Sequence, residues 1–149
     1  MQNILITWKD FFEVQNSVIE QIKQSGKTYK YVVALACGGL FPAYFVAKAL
    51  DIPVVTINLK SYTDKTSGDI KHVTVDGFAD KIQNQSDAII VDDIYDSGKT
   101  IQYIQKLYPN VDTAITFARK PSNTATYVGK VLGHDEWLDF PWEVKYDCN

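Results

Sequence analysis

The chain has 149 residues, of which 46% are hydrophobic, 13% aromatic and 22% charged, a balance that suits one globular domain with a buried core. A net charge of −3 and an isoelectric point near 5.3 argue against nucleic acid as a partner. No apolar run reaches the roughly 18 residues that span a bilayer, no secretory pattern is visible, and Cys37 and Cys148 are too few for a disulfide framework, so a soluble cytoplasmic protein is expected.

Ile4–Ile6 reads as a short strand. Thr7 follows as a helix N-cap with Asp10 in the first turn. Phe11, Val14, Val18 and Ile22 recur at helical spacing through 8–24, and Phe12 and Ile19 widen the stripe. YVVALA at 31–36 is an apolar run of the kind buried on both faces of a sheet. Gly38-Gly39 breaks it, and an apolar helix fits 40–50 with Pro42 in its first turn. VVTINL at 54–59 is the next strand. Residues 61–80 are polar, with a β-like patch around Ile70–Val75, and are expected to form a functional, flexible loop. A short helix is expected at 79–84, a buried strand at 88–91 and a helix over Lys99–Tyr108, ended by Pro109-Asn110. TAITFA at 113–118 and TYVGKVL at 126–132 are two further strands, and the tail from 133 has no regular period. This alternation predicts an α/β fold with a mainly parallel sheet. Ligands of such sheets sit outside the carboxyl ends of the strands, where the 36–39 and 92–98 loops fall.

VDDIYDSGKT at 91–100 ends like a nucleotide-binding P-loop, GxxxxGK[ST]. Asp93, however, stands where that motif requires its first glycine, and a carboxylate there repels phosphate. The segment suits a single phosphate better. Ser97, Gly98, Lys99 and Thr100 lie where a loop enters a helix, an end whose amides and dipole favour an anion. Asp92 and Asp93 repel one another unless hydroxyl donors or a hard cation such as Mg²⁺ intervene. A ribose 5-phosphate group supplies a phosphate and a diol together. Asp96, between the two halves, is in reach of the reacting carbon or an incoming base. A capped turn with solvated acids is the plainer alternative.

The apolar strand followed by DDIYDSGKT resembles the phosphoribosyl pyrophosphate signature of type I phosphoribosyltransferases. The resemblance extends over nearly all of the chain and is greatest to the bacterial xanthine–guanine group. ACGGLFPAYFVAKAL at 36–50 resembles the pyrophosphate loop and its helix, which implies that Cys37, Gly38 and Gly39 bind the leaving group. LKSYTD at 59–64 resembles the start of the catalytic loop and implicates Ser61 and Tyr62. FARKP at 117–121 resembles the strand end whose lysine meets the exocyclic oxygen of the purine. Lys120, directly before Pro121, is the expected contact and Arg119 the alternative. EWLDFPWE at 136–143 resembles the base-binding hood, about 133–149, with Trp137 stacked on the base and Leu138 and Asp139 at its edge. Ordinary packing is an even alternative for Trp142.

The resemblance implies a single domain over 1–149. It implies transfer from phosphoribosyl pyrophosphate to a 6-oxopurine, in which Asp96 takes a proton from the base. Mg²⁺ is expected near Asp93 and Asp139, and a homodimer or homotetramer is expected. The xanthine–guanine relatives carry an arginine where Cys37 stands. The backbone amides of Gly38 and Gly39, with Mg²⁺ bridging, are expected to bind the leaving group in its place, and Lys65, Lys71 or a neighbouring subunit are candidates to supply a positive side chain. Cys37 at this position motivates the rival, a protein on the same fold that binds nucleotide or phosphoribosyl pyrophosphate without turnover.

Overall fold

The computed structural model describes residues 2–63, 70–74, 84–122, 124–133 and 136–143. In chain order the elements are β1 (Gln2–Leu5), α1 (Trp8–Gln24), β2 (Tyr31–Ala36), α2 (Leu40–Leu50), β3 (Val54–Thr63), β4 (Ile70–Thr74), β5 (Ala88–Tyr95), α3 (Lys99–Leu107), β6 (Asp112–Ala118), β7 (Tyr127–Val131) and β8 (Glu136–Asp139). Six strands form one sheet in the order β4-β3-β2-β5-β6-β7. All its neighbours pair in parallel except β3 and β4, so the mainly parallel sheet is confirmed. β1 and β8 pair in parallel as a separate two-stranded sheet, which gives the aperiodic tail a regular strand.

α1 begins as its sequence dictates. The Thr7 hydroxyl accepts the Asp10 N–H while the Asp10 carboxylate accepts the Thr7 N–H, a reciprocal capping box. The alternating side chains of the parallel strands fill two cores. Val32, Ala34, Ile89 and Val91 meet Val18, Ile22, Val46 and Ala47 from α1 and α2 on one face. Val33, Leu35, Ile57 and Ile90 meet Ile104 and Tyr108 on the other. Gly129 lets α1 lie close on β7, since a Cβ there would fall 2.6 Å from a Val14 methyl and 2.5 Å from the Thr116 carbonyl. Buried Gln15 donates to the Pro42 carbonyl at 3.1 Å and accepts from the Thr116 hydroxyl at 2.7 Å, joining α1, α2 and β6.

At the amino end of the sheet the Tyr29 hydroxyl donates to Asp112 at 2.5 Å and lies 2.9 Å from that of Tyr127, which in turn donates to Ser25. Lys27 pairs with the same Asp112 at 3.1 Å. Burial, with the Asp112 charge, pushes the Tyr29 hydroxyl far above its ordinary pKa, so it stays a donor.

The β-like patch expected around Ile70–Val75 is present as β4: backbone Ser61 pairs with His72, Tyr62 with Lys71 and Thr63 with Ile70 in an antiparallel ladder. One expectation is corrected. The strand expected at 88–91 runs on to Tyr95, so Asp92 and Asp93 lie within β5 and not at its end. Lys65 and all but Asn84 of the helix expected at 79–84 lie outside the described residues. Asn84 itself caps a 3-10 turn at 85–87.

Candidate active site

From β2 the chain turns to β3 on one side, while β5 leads to β6 and β7 on the other. The carboxyl ends of β2 and β5 thus form a topological switch point, where open α/β sheets bind ligands. β2 pairs with β5 only as far as Ala34 and Val91, so the later residues of β5 face the loop after β2. Gly38 and Asp93 meet there: a Cβ on Gly38 would fall 2.7 Å from the Asp93 carboxyl carbon. Gly39 lies just as close to backbone, since its Cβ would fall 2.5 Å and 2.6 Å from the Leu35 and Val91 carbonyls. The Ala36–Cys37 peptide is cis. Cys37 is exposed. The Gly39 amide, expected to help bind pyrophosphate, instead donates to the Leu35 carbonyl at 2.8 Å, closing the turn that starts α2.

Asp93 is buried and Asp92 half-buried, with the Asp93 N–H on the Asp92 carboxylate at 3.0 Å. Burial, then the neighbouring Asp93 charge, pushes Asp92 well above the usual carboxylate range. Burial also raises Asp93, with Glu143 adding to it. The contact between the two side chains raises Asp92 and lowers Asp93, so Asp92 is the one pushed well above its usual range. Two carboxylates crowded this way are under-compensated, so they fit a sugar diol or a hard cation. Among the described residues no group of three or more His, Cys, Asp or Glu side chains forms. Asp139 lies in β8, opposite Leu5, with its carbonyl accepting the Ile6 N–H at 2.9 Å. Asp92 and Asp93 are the side chains that would hold a Mg²⁺ ion here, a cation that commonly takes one or two carboxylates from protein.

The phosphate turn follows. Gly98 is the N-cap of α3 at φ 86°, a left-handed conformation that glycine adopts at low cost. It also lies on buried Tyr95, whose ring carbon bearing the hydroxyl would be 2.6 Å from any Cβ. The Ser97 hydroxyl accepts the Lys99 N–H at 3.3 Å. Asp92, Asp96, Ser97, Gly98 and Thr100 line a cavity of about 180 Å³ together with Tyr95. A second cavity of about 400 Å³, between β1, α1 and 130–133, is lined by Glu136 but by none of these residues. The smaller one carries the site because it holds the acids and the helix start.

On the far side of Asp96 stands Arg119, only 9% exposed. Its Nε is 3.0 Å from Asp96 Oδ1, close enough for an ion pair but not aligned as a hydrogen bond. Nη1–H donates to the Glu136 carbonyl at 2.8 Å, and the guanidinium carbon lies 5.2 Å from the centre of the Trp137 ring. The structure thus brings Arg119, the alternative to Lys120, against Asp96 and Trp137. Trp137 is 47% exposed. Leu138 departs from expectation: its side chain is buried with Ile6, Phe11, Phe117 and Phe140, so any base contact from it comes through its main chain. Trp142 is packing. It stacks between Phe41 at 4.8 Å and Phe140 at 4.7 Å.

A phosphoribosyl transferase domain matches residues 2–148. The chain belongs to the phosphoribosyl transferase family. It is 36% identical over 120 residues to the xanthine–guanine phosphoribosyltransferase of Cereibacter sphaeroides (strain ATCC 17025 / ATH 2.4.3), covering 78% of this chain and 70% of that protein. It is also 36% identical over 126 residues to the enzyme of the same name from Ruegeria sp. (strain TM1040), covering 78% and 69%. The crystal structure of a purine phosphoribosyltransferase from Pyrococcus horikoshii Ot3 superposes with a TM-score of 0.71 at 25% identity, covering 98% of this chain and 97% of that one. A Neisseria gonorrhoeae protein solved with bound ppGpp has a TM-score of 0.80 at 22% identity, covering 96% and 90%, and shares the fold.

Within this phosphoribosyltransferase fold, sequence reasoning missed the bridging role of Arg119 and the support that Tyr95 gives to Gly98. The signal for Arg119 was the basic pair at the end of an apolar strand, but spacing alone does not tell which of two neighbours turns inward. For Gln15 the signal was its place on the apolar stripe, four residues after Phe11.

Proposed function

We propose that this chain is a purine phosphoribosyltransferase that joins phosphoribosyl pyrophosphate to guanine, xanthine or hypoxanthine. The observation that carries this reading is the acidic pair beside a glycine-turned helix start, with Arg119 and Trp137 across from it. Asp92 and Asp93 take the ribose hydroxyls. The first turn of α3, with Ser97 and Thr100, takes the 5-phosphate. Gly38 and its loop face the leaving group. Mg²⁺, when bound, neutralises charge building on the pyrophosphate. As the bond from the anomeric carbon to pyrophosphate breaks, the bond to the base nitrogen forms, and Asp96 accepts the proton that nitrogen system sheds. Trp137 offers its exposed face to the base, worth about 1–3 kcal/mol. Arg119, held within reach of the same place, favours an exocyclic oxygen over an amino group, whose N–H would face another donor.

The same proposal includes Ser61 and Tyr62 at the end of β3, Lys99 beside the phosphate and a cytoplasmic homo-oligomer. Among the described residues no helix is long and apolar enough to cross a membrane. The xanthine–guanine relatives support an enzyme over a protein that only binds.

The test is product formation. Purified protein with Mg²⁺ and phosphoribosyl pyrophosphate is expected to convert at least one of the three bases to its monophosphate, read by chromatography. No conversion of any of them overturns the catalytic reading.

A further inference from the structure

We propose that Tyr95 is a specificity-determining residue whose hydroxyl binds the phosphate monoester of the substrate at the start of α3. This rests on the phosphoribosyl reading above. Tyr95 ends β5 and is only 6% exposed. It fills one of the two unspecified positions of D-D-x-x-D-S-G. Its ring packs with Ile101, Ile115 and Ala118, so a phenylalanine would fill the same space. The hydroxyl is the part that packing leaves unexplained. It stands against Gly98, in the place a side chain there would take. Tyr95 also forms part of the wall of the cavity of about 180 Å³, with Ser97, Gly98 and Thr100. Among the described residues its hydroxyl has no hydrogen-bond partner. A nearly buried hydroxyl in that state is costly, and a ligand that brings an acceptor into the cavity removes the cost.

The rest of the turn shows why a neutral donor matters there. Among the described residues the cavity wall carries Asp92 and Asp96 but no lysine or arginine. The Lys99 N–H already has the Ser97 hydroxyl as its acceptor at 3.3 Å. An anion entering beside two carboxylates is repelled by both unless enough donors face it. The Tyr95 O–H is a donor without charge. Unlike a lysine on a flexible stem, it is held in place by its packed ring and cannot swing away to pair with Asp92 or Asp96. A phosphate monoester offers it several charged acceptor oxygens. The free 5-hydroxyl of an unphosphorylated ribose offers one neutral acceptor, and a hydrogen bond to a charged group is roughly twice as strong as a neutral one. Tyr95 thus favours the phosphorylated sugar over the bare one.

The experiment compares GMP with guanosine, which differ only in the phosphate. Their affinities are measured by calorimetry in the wild type and in Tyr95→Phe, which removes one oxygen and keeps the ring. Tyr95→Phe is expected to bind GMP about tenfold more weakly, with guanosine within about twofold of wild type. Phosphoribosyl pyrophosphate with Mg²⁺ is expected to lose about tenfold as well. Unchanged GMP affinity, or an equal loss of GMP and guanosine, overturns the proposal. The unfolding midpoint without ligand separates a binding role from a structural one. In Tyr95→Phe it is expected to equal or exceed that of the wild type, because an unpaired hydroxyl is gone. A lower midpoint would assign the hydroxyl to holding the turn and overturns the proposal. If the wild type binds neither GMP nor guanosine, the purine reading fails, while phosphoribosyl pyrophosphate still tests Tyr95. Its unchanged affinity in Tyr95→Phe, or its failure to bind the wild type, overturns the proposal.

Discussion

Asp92 is the residue at which stability and function pull apart. Its carboxyl is raised by burial and by Asp93. A carboxyl raised on folding binds its proton more tightly in the native state than in the unfolded chain. Its penalty is therefore absent below the ordinary value of 3.8 and grows as pH rises through the range up to the raised one. Asp92→Asn removes that penalty. It is expected to raise the unfolding midpoint at pH 7 by about 2–8 °C, and the advantage should vanish near pH 4. Turnover should fall by at least about a hundredfold. Calorimetry across pH, with the product assay alongside, checks both; a lower midpoint at pH 7 would show that the pair is already compensated.

At the scale of elements, Gln15 makes the clearest case. It is a polar side chain at the contact of α1, α2 and β6, with both ends of its amide engaged. Gln15→Leu keeps the size but strands the Pro42 carbonyl and the Thr116 hydroxyl, so a loss of about 1–3 kcal/mol is expected from urea unfolding. The kcat should barely change, because the contact lies away from the acids. Most elements were legible in the sequence because their periods are clean: α1 from Phe11 to Ile22, and β2 and β6 from continuous apolar runs. The hidden ones have physical reasons. From sequence β5 ends at Val91, because two acids look like a loop, yet the sheet carries them on to Tyr95 by pairing Asp92 with Ile115. β8 shows no polar–apolar alternation in sequence because Trp137 and Leu138 are both apolar, although Leu138 packs inward and Trp137 projects outward to Arg119, and it has only four residues. In the site, the D-D-x-x-D-S-G motif named its own residues. The partners of Asp96 were not legible, since they come from strands that only the fold brings together.

For the molecule as a whole, the two halves of the site should act as one ligand-linked unit. Phosphoribosyl pyrophosphate with Mg²⁺, at a hundred times its Kd, is expected to stabilise the fold by about 2.7 kcal/mol, read as a rise in the unfolding midpoint. Asp92→Asn should show little of that rise, because its gain is already built in and its diol contact is lost. A full ligand-induced rise in the variant would mean that the ribose is held elsewhere.

The sheet has a second polar centre, at its other end. There Tyr29, Tyr127, Ser25 and Lys27 converge on Asp112, and each charge or hydroxyl meets a partner. The two polar centres thus differ: the Asp112 cluster is partnered throughout, whereas Asp92 and Asp93 are crowded by burial and by each other. For an evolving lineage this separates two kinds of change. Substitutions around Asp112 act on how long the protein lasts, at a distance from the site, whereas substitutions at Asp92 trade durability against activity.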